Sequence, residues 1–371
     1  LTDLFNTYAN QPYFFFLDSS KSNSLWSANS MMGWDPYLII EGSDKKTHLT
    51  FRNGQQETQL NHVLDVLDQY LEPLKHSKSL TNHPFLGGAL ALLPYESGAY
   101  ISPYQKQPSS CTTFKNTCRF IIYDQLISYH HKSDELLHIS INHPHLNTEY
   151  LLNKPNKLNA IKDKVQATAL SFTTSKSAYA KQINAIKNHI QCGEAYQVNL
   201  SHRCETTLPT SAPLLYQQLR QSNPAPFSAF VRYGKETIFS TSPERLFSVQ
   251  NGRIQTRPIK GTIAVGKTPQ EDRQNKKALK KSLKDKAELS MIMDLARNDI
   301  GQLCNYGSVK IANHIELESY QTVHHLTATI EGDLKPNISL KAILEALFPG
   351  GSITGAPKLK AMDYISTYET T

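Results

Sequence analysis

Arg245-Leu246-Phe247-Ser248-Val249-Gln250-Asn251-Gly252-Arg253-Ile254-Gln255-Thr256-Arg257-Pro258-Ile259-Lys260 is the stretch on which the fold turns. Two alternating runs meet at Asn251-Gly252, a dipeptide that readily takes the left-handed backbone of a two-residue hairpin. Simple register then sets Gln250 against Arg253. One face carries Phe247, Val249, Ile254, Thr256 and Lys260, and the other carries Ser248, Gln250, Arg253, Gln255 and Arg257. An antiparallel sheet covered on one side is the pattern expected. Lys260 falls on the covered side. Either its amine snorkels out at the strand end, or it stays desolvated with a lowered pKa, able to act as nucleophile or base. Glu244, within Ser242-Pro243-Glu244-Arg245, lies at the same end but on the opposite face by strict alternation. Pro243 and Pro258 both disturb the ladder there, and a bulge would re-aim either side chain.

Working outward, Tyr13 to Leu17, Tyr37 to Glu41 and His48 to Phe51 read as strands. Gln59 to Leu74 reads as a helix from the period of Leu60, Val63, Leu64, Leu67 and Leu71. Arg119 to His130 and Leu136 to Ile141 flank Lys132-Ser133-Asp134-Glu135 as a second hairpin. Ser177 to Cys192 is a helix stopped by Gly193. Polar, lysine-rich Asn153 to Thr174 reads as a linker between regions 1–155 and 170–371. Strands and helices without regular β-α alternation predict an α+β architecture.

The chain has 371 residues, 39% apolar, with 39 Lys plus Arg against 32 Asp plus Glu and a net charge of +7. That composition excludes a disordered chain. No window approaches the ~18 apolar residues of a membrane helix, and polar Leu1 to Gln11 is no signal peptide. Five cysteines without CxxC spacing disfavour a disulfide framework or a zinc site, and point to a reduced, cytoplasmic protein. The basic run Asn275 to Lys286 lacks the interleaved aromatics of a nucleic-acid surface and reads as a solvated helix face.

Lys286 to Ile300 is nearly apolar all round, as in a buried helix, and Glu288 falls between Met291, Ile292 and Leu295. A carboxylate there needs a partner: Arg297, a lysine, or Mg²⁺. Phe348 to Lys358 is a glycine-rich loop between two helices. Its backbone can approach a ligand closely, although Ala356 stands where a Walker A loop requires lysine.

Taken together, GEAYQVNLSHR (193–203), NPAPFSAF (223–230), STSPERL (240–246), IQTRPIKGT (254–262), DKAELSMIMDLARNDIG (285–301), TVHHL (322–326) and FPGGSITGAPK (348–358) resemble the chorismate-utilising enzymes, most closely the aminodeoxychorismate synthase component I branch. FFFLDSS (14–20) and PFLGGALALLPYESG (84–98) extend the resemblance through the first half. It implies the anthranilate synthase component I-like fold, two antiparallel sheets packed face to face with helices outside. Anthranilate synthases carry alanine where Lys260 stands. Isochorismate and salicylate synthases carry a water-activating lysine where Gln197 stands. The pair Lys260 and Gln197 therefore implies ammonia as the final nucleophile.

The resemblance also implies the roles. Lys260 adds covalently to the ring while Glu244 protonates the leaving hydroxyl, and Glu288 is a Mg²⁺ ligand. Gln197, Gly261, Thr262, His325, Ser352, Thr354 and Gly355 line the substrate pocket. Ser19, Pro226, Phe227 and Ser228 match a second pocket that holds tryptophan in some members. The product would be 4-amino-4-deoxychorismate, on the route to para-aminobenzoate and folate, with ammonia from a separate glutamine amidotransferase subunit and no nucleic acid or membrane involved. Relatives continue past the GGSITGAPK helix with further substrate and Mg²⁺ residues, so the chain is expected to be a C-terminally incomplete fragment. The rival expectations are an anthranilate synthase component I, and a truncated inactive relative that binds tryptophan or the partner.

Overall fold

The computed structural model describes residues 1–20, 28–72, 87–101, 117–140 and 168–369. Cys111 and most of the expected linker, 153–167, lie outside the described residues. The chain forms two compact units, the first from residues 1–93, 117–168 and 207–243, the second from 94–116, 169–206 and 244–371. The chain thus passes from one unit to the other at 168/169, inside the expected linker, and also at 93/94, 116/117, 206/207 and 243/244.

In the first unit, Phe14-Phe15-Phe16 sets the layers, because successive side chains on a strand face opposite ways. Phe15 packs with Ile39, Ile121, Tyr123, Leu126 and Val231. Phe14 and Phe16 join Phe5, Tyr8, Trp34, Tyr216 and Phe230 beneath the helices Thr2–Tyr8 and Ala212–Ser222. Phe15–Asp18 lies within a six-stranded antiparallel sheet ordered Glu236–Ser242, Phe227–Tyr233, Phe15–Asp18, Asn29–Gly33, Gln125–His130, Glu135–Ser140. A five-stranded sheet is ordered Gln56–Gln59, Thr47–Phe51, Leu38–Gly42, Cys118–Tyr123, Gly88–Leu92. The core around Phe15 draws on both sheets, and the helix Val63–Leu71 packs against Leu38–Gly42. The expected pair of face-to-face sheets with helices outside is this unit.

Two expectations are corrected here. The helix expected from Gln59 starts at Val63, because Gln56–Gln59 completes a strand pair with Thr47–Thr50 and His62 caps the amide of Leu64. Arg119 to His130 is two strands in different sheets. The chain turns at Asp124, whose buried carboxylate takes both Arg52 guanidinium nitrogens at 3.1 and 2.7 Å.

The second unit is built on Val323–Asp333. Along one edge it pairs with Arg253–Arg257 and then Ile259–Ala264; Lys310–Ser319 also pairs with it, and Arg245–Gln250 extends the sheet beyond Arg253–Arg257. The hairpin register is the expected one at Gln250↔Arg253, Val249↔Ile254 and Ser248↔Gln255, then slips by a bulge so that Arg245 faces Arg257. Ile254 and Thr256 are buried, as the alternation required. Arg257, expected on the polar face, is wholly buried: it donates to Thr327 Oγ1 at 3.1 Å and pairs with Glu318, so a charge partner supplies what water would have.

Leu289, Met293 and Ile300 of the helix Leu283–Gly301, with Ile343 and Leu347 of Leu340–Leu347, cover Ile254, Leu326, Ala328 and Ile330 of the sheet. The helix expected to be apolar all round is one-sided, with Asp294 and Arg297 paired on its exposed side. The basic run spans two helices, since Ser282 ends Pro269–Lys281 and caps the next at Asp285.

Candidate active site

Pro258 interrupts the strand, yet the register carries across it, from Thr256↔Ile330 to Ile259↔Thr327. Lys260 stands opposite Leu326, and a bulge at Gly261 follows, so that Thr262 faces His325. Gly261 has φ +71°, and a Cβ there would lie 2.9 Å from Asp285 Cβ, so helix and bulge meet only over glycine.

Across from Lys260 comes the glycine-rich turn. Gly351–Thr354 is a single helical turn ended by Gly355 at φ +146°, and Gly355-Ala356 pairs with Val198 and Gln197. A Cβ on Gly355 would fall 2.1 Å from the Gln197 carbonyl oxygen. This close approach brings the Gln197 strand, Ser352 and Lys260 together. Lys260 Nζ donates to the Ser352 carbonyl at 3.0 Å, and the Ser352 hydroxyl donates to Glu244 Oε1 at 2.5 Å. Amine and carboxyl thus share one residue, although alternation alone had placed them on opposite faces.

Burial lowers the pKa of Lys260, opposed by the charges of Glu244 and Glu288. Burial raises that of Glu244, opposed by hydrogen bonds from Ser352 and the Ile259 amide and by the charges of Lys260 and Arg257. Both groups are therefore displaced toward their neutral forms. Glu244 and Ser352 also line a pocket with Leu246, Pro258, Leu295 and Gly350.

The other expected residues fall as follows. Thr262 Oγ1 and His325 Nδ1 are 2.9 Å apart. Thr354 is buried, and its hydroxyl donates to the Gly350 carbonyl at 3.0 Å. Glu288, on the helix, lies 3.8 Å from Lys284, while Arg297 pairs with Asp294 instead. In the first unit, Ser19, Pro226 and Ser228 converge: Ser19 Oγ donates to the Pro226 carbonyl at 3.1 Å, and Ser228 Oγ and Ser19 are buried. Phe227 opens the adjoining strand, opposite Ser242.

Sequence reasoning passed over two polar anchors. Asn199 Nδ2 donates to the same Ser352 carbonyl at 2.8 Å, and Lys358 meets Asp299 at 2.7 Å beneath the glycine turn. Asn199 lay inside a quoted string, but its side chain acquires meaning only when Ser352 arrives from far along the chain.

Among the described residues no three His, Cys, Asp or Glu side chains cluster as a ready-made metal site. Glu288, a half-exposed carboxylate felt by Lys260, fits Mg²⁺, which binds through one or two carboxylates with substrate oxygens and water completing its shell.

An α+β protein that sets a desolvated amine against a buried carboxyl, under a glycine-rich turn, has the equipment of an acid-assisted nucleophilic enzyme. Its fold is that of anthranilate synthase component I: the enzyme of that name from Streptococcus pneumoniae TIGR4 superposes with a TM-score of 0.77 and 25% identity over 94% of this chain and 78% of that one. The family described as chorismate binding enzyme matches residues 12–371, and the chain belongs to it. Aminodeoxychorismate synthase component 1 of Escherichia coli K12 is 32% identical over 98% of this chain and 80% of its own length. Anthranilate synthase component 1 of Bacillus subtilis 168 is 30% identical over 96% and 74%. The protein is thus a chorismate-utilising enzyme.

Proposed function

We propose that the chain is an aminodeoxychorismate synthase component I, converting chorismate and ammonia to 4-amino-4-deoxychorismate. One observation carries the reading: Lys260 Nζ and Glu244 Oε1 are held by the carbonyl and the hydroxyl of one residue, Ser352, and both are displaced toward neutrality. A neutral amine has the lone pair to form a C–N bond with the substrate ring. A protonated carboxyl has the proton that the departing 4-hydroxyl needs to leave as water. Ammonia then forms its bond at C4 and expels the lysine, which returns as a free amine. One poor displacement becomes two easier ones, and general-acid help to the first is worth roughly 10²–10⁴-fold.

Glu288 is the residue that would hold Mg²⁺, and the bound ion would offset the negative charge of the substrate carboxylate. Thr262 and His325, paired on the bulged edge, offer polar contacts to the substrate, and Gly261, Ser352, Thr354 and Gly355 would line its pocket. Ammonia would come from a glutamine amidotransferase subunit, consistent with relatives named as component 1. Ser19, Pro226, Phe227 and Ser228 would form a tryptophan pocket in the first unit.

Anthranilate synthase component I is the second reading, favoured by the TM-score of 0.77 to the pneumococcal enzyme. Product analysis decides. Chorismate, Mg²⁺ and ammonium should yield 4-amino-4-deoxychorismate, and withholding ammonium should leave a chorismate-derived mass on the protein that Lys260→Ala cannot form. Anthranilate as product would select the second reading. An adduct that persists in Lys260→Ala would end the lysine mechanism, and the absence of turnover with retained tryptophan binding would identify a non-catalytic relative.

A further inference from the structure

We propose that the lysine-rich corner where the helix Pro269–Lys281 meets Leu283–Gly301 is an electrostatic rim that draws the chorismate dianion to the Lys260 edge. The inference rests on chorismate use alone, and it holds whichever product the enzyme makes.

Three contacts fix how the first of these helices lies on the strand Ile259–Ala264. The Gly266 amide, just past the strand, donates to Asp272 Oδ1 at 3.1 Å. Asn275 Nδ2 donates to the Ala264 carbonyl at 3.0 Å. A Cβ on Gly261 would lie 3.2 Å from Leu279 Cδ1 and 2.9 Å from Asp285 Cβ. Helix and strand therefore run antiparallel. The last turn of one helix and the first turn of the next close over Gly261, the neighbour of Lys260. Lys280 and Lys281 belong to that last turn, and Lys284 belongs to that first turn. Lys284 lies 3.8 Å from Glu288, whose charge is felt at Lys260.

The acidic side chains of the first helix are taken up in fastening it. Glu271 accepts the Lys267 amide at 2.8 Å, and Asp272 holds Gly266, His324 and Lys276. Arg273, Lys277, Lys280 and Lys281 are exposed and form no ion pair among the described residues. At the corner itself Lys280, Lys281, Lys284 and Lys286 outnumber Asp285 and Glu288. Lys276 and Lys280, and Lys277 and Lys281, stand four residues apart, a spacing at which like charges oppose the helix. The row thus works against its own helix, and its field is free to act outward. Chorismate carries two carboxylates, and a positive field over the approach to Lys260 raises its concentration there. The range of that field is set by salt, from about 30 Å at 0.01 M to about 3 Å at 1 M ionic strength.

The test measures the chorismate Kd by calorimetry on the full chain carrying Lys260→Ala, at one Mg²⁺ concentration and without ammonium, so that binding is read without chemistry. In that background Lys280→Gln with Lys281→Gln should weaken binding about fivefold at about 0.01 M ionic strength, and by less than about twofold at about 1 M. Lys280→Arg with Lys281→Arg keeps the charge and should bind like the parent at both. Lys45→Gln with Lys46→Gln, exposed in the first unit, should do the same. A loss of equal size at both ionic strengths overturns the inference, because it marks a direct contact or altered packing. An unchanged Kd also overturns it; a lowered urea midpoint beside that result would leave the two lysines to the helix dipole. A parent that binds no chorismate at about 0.01 M ionic strength overturns it before any lysine variant is compared.

Discussion

Lys260 and Glu244 are both held by Ser352 and feel each other's charge, and that geometry makes their protons interdependent. In the proposed mechanism the reactive arrangement is a neutral amine with a protonated carboxyl, one proton between the two groups. The rate therefore rises with pH as the first proton leaves the pair and falls as the second leaves. Burial lowers the amine and raises the carboxyl, which brings the two limbs closer than those of an exposed lysine and glutamate. In Glu244→Gln only Lys260 remains to titrate. Adduct formation should then be slower by about 10²–10⁴-fold and increase steadily with pH. A bell that survives in stopped-flow measurements on this variant would remove Glu244 from the acid role. The covered position of Lys260 could be read from the alternation Ile254, Thr256, Lys260. Its meeting with Glu244 could not, because the bulge facing Arg257 and the arrival of Ser352 are tertiary events. Arg257 was misread for the same reason: its neutralising partner, Glu318, comes from a strand that the local pattern does not contain.

The glycine-rich turn is an element whose sequence announced its shape, since three glycines in six residues signal close backbone approach. What it approaches had to be seen. Gly355→Ala would push a methyl group to 2.1 Å from the Gln197 carbonyl at a φ of +146°, and the turn must shift to relieve it. The expected outcome is a lower thermal midpoint, reflecting on the order of 1–3 kcal/mol of strain, together with loss of adduct formation as Ser352 leaves Lys260. Unchanged stability and adduct yield would show that the turn is not what aligns the amine. Beneath it, Lys358 and Asp299 form an ion pair with both side chains largely buried, and Lys358 also donates to the Ala346 carbonyl at 2.8 Å. Burial already raises the pKa of Asp299 against the pull of Lys358. Lys358→Met should cost about 3–5 kcal/mol near neutral pH by leaving a buried carboxylate unpaired. The sign with pH follows: a carboxyl raised in the folded state binds its proton more tightly there. The penalty is therefore small below the ordinary carboxyl value and grows as pH rises through the raised one. Urea midpoints at acidic and neutral pH check both parts, and equal midpoints would refute the account. Hairpin and helices were legible because their periods are local. The break at Asp124 was hidden because Arg52 holds it from a distant segment.

At the scale of the whole molecule the proposed amination raises the question of where the nitrogen comes from. Releasing ammonia from glutamine takes an activated thiolate with a base beside it. The described cysteines offer little toward that: Cys118 and Cys304 are buried, Cys192 and Cys204 are exposed, and burial with the nearby Asp333 charge raises the Cys304 thiol, the direction opposite to activation. The matched family region meanwhile occupies residues 12–371, which commits this fold to the chorismate side of the chemistry. The chain alone should therefore make aminated product from ammonium salts and none from glutamine. Its ammonium-driven rate should climb with pH as free ammonia becomes available, on top of the behaviour of the Lys260 and Glu244 pair. Adding a glutamine amidotransferase subunit should restore glutamine as donor and flatten that climb, since ammonia is then delivered rather than drawn from solution. The measurement is product formation against pH for both donors, with and without the second subunit. Glutamine-dependent product from the purified chain by itself would refute the division of labour and place a glutaminase centre within these residues.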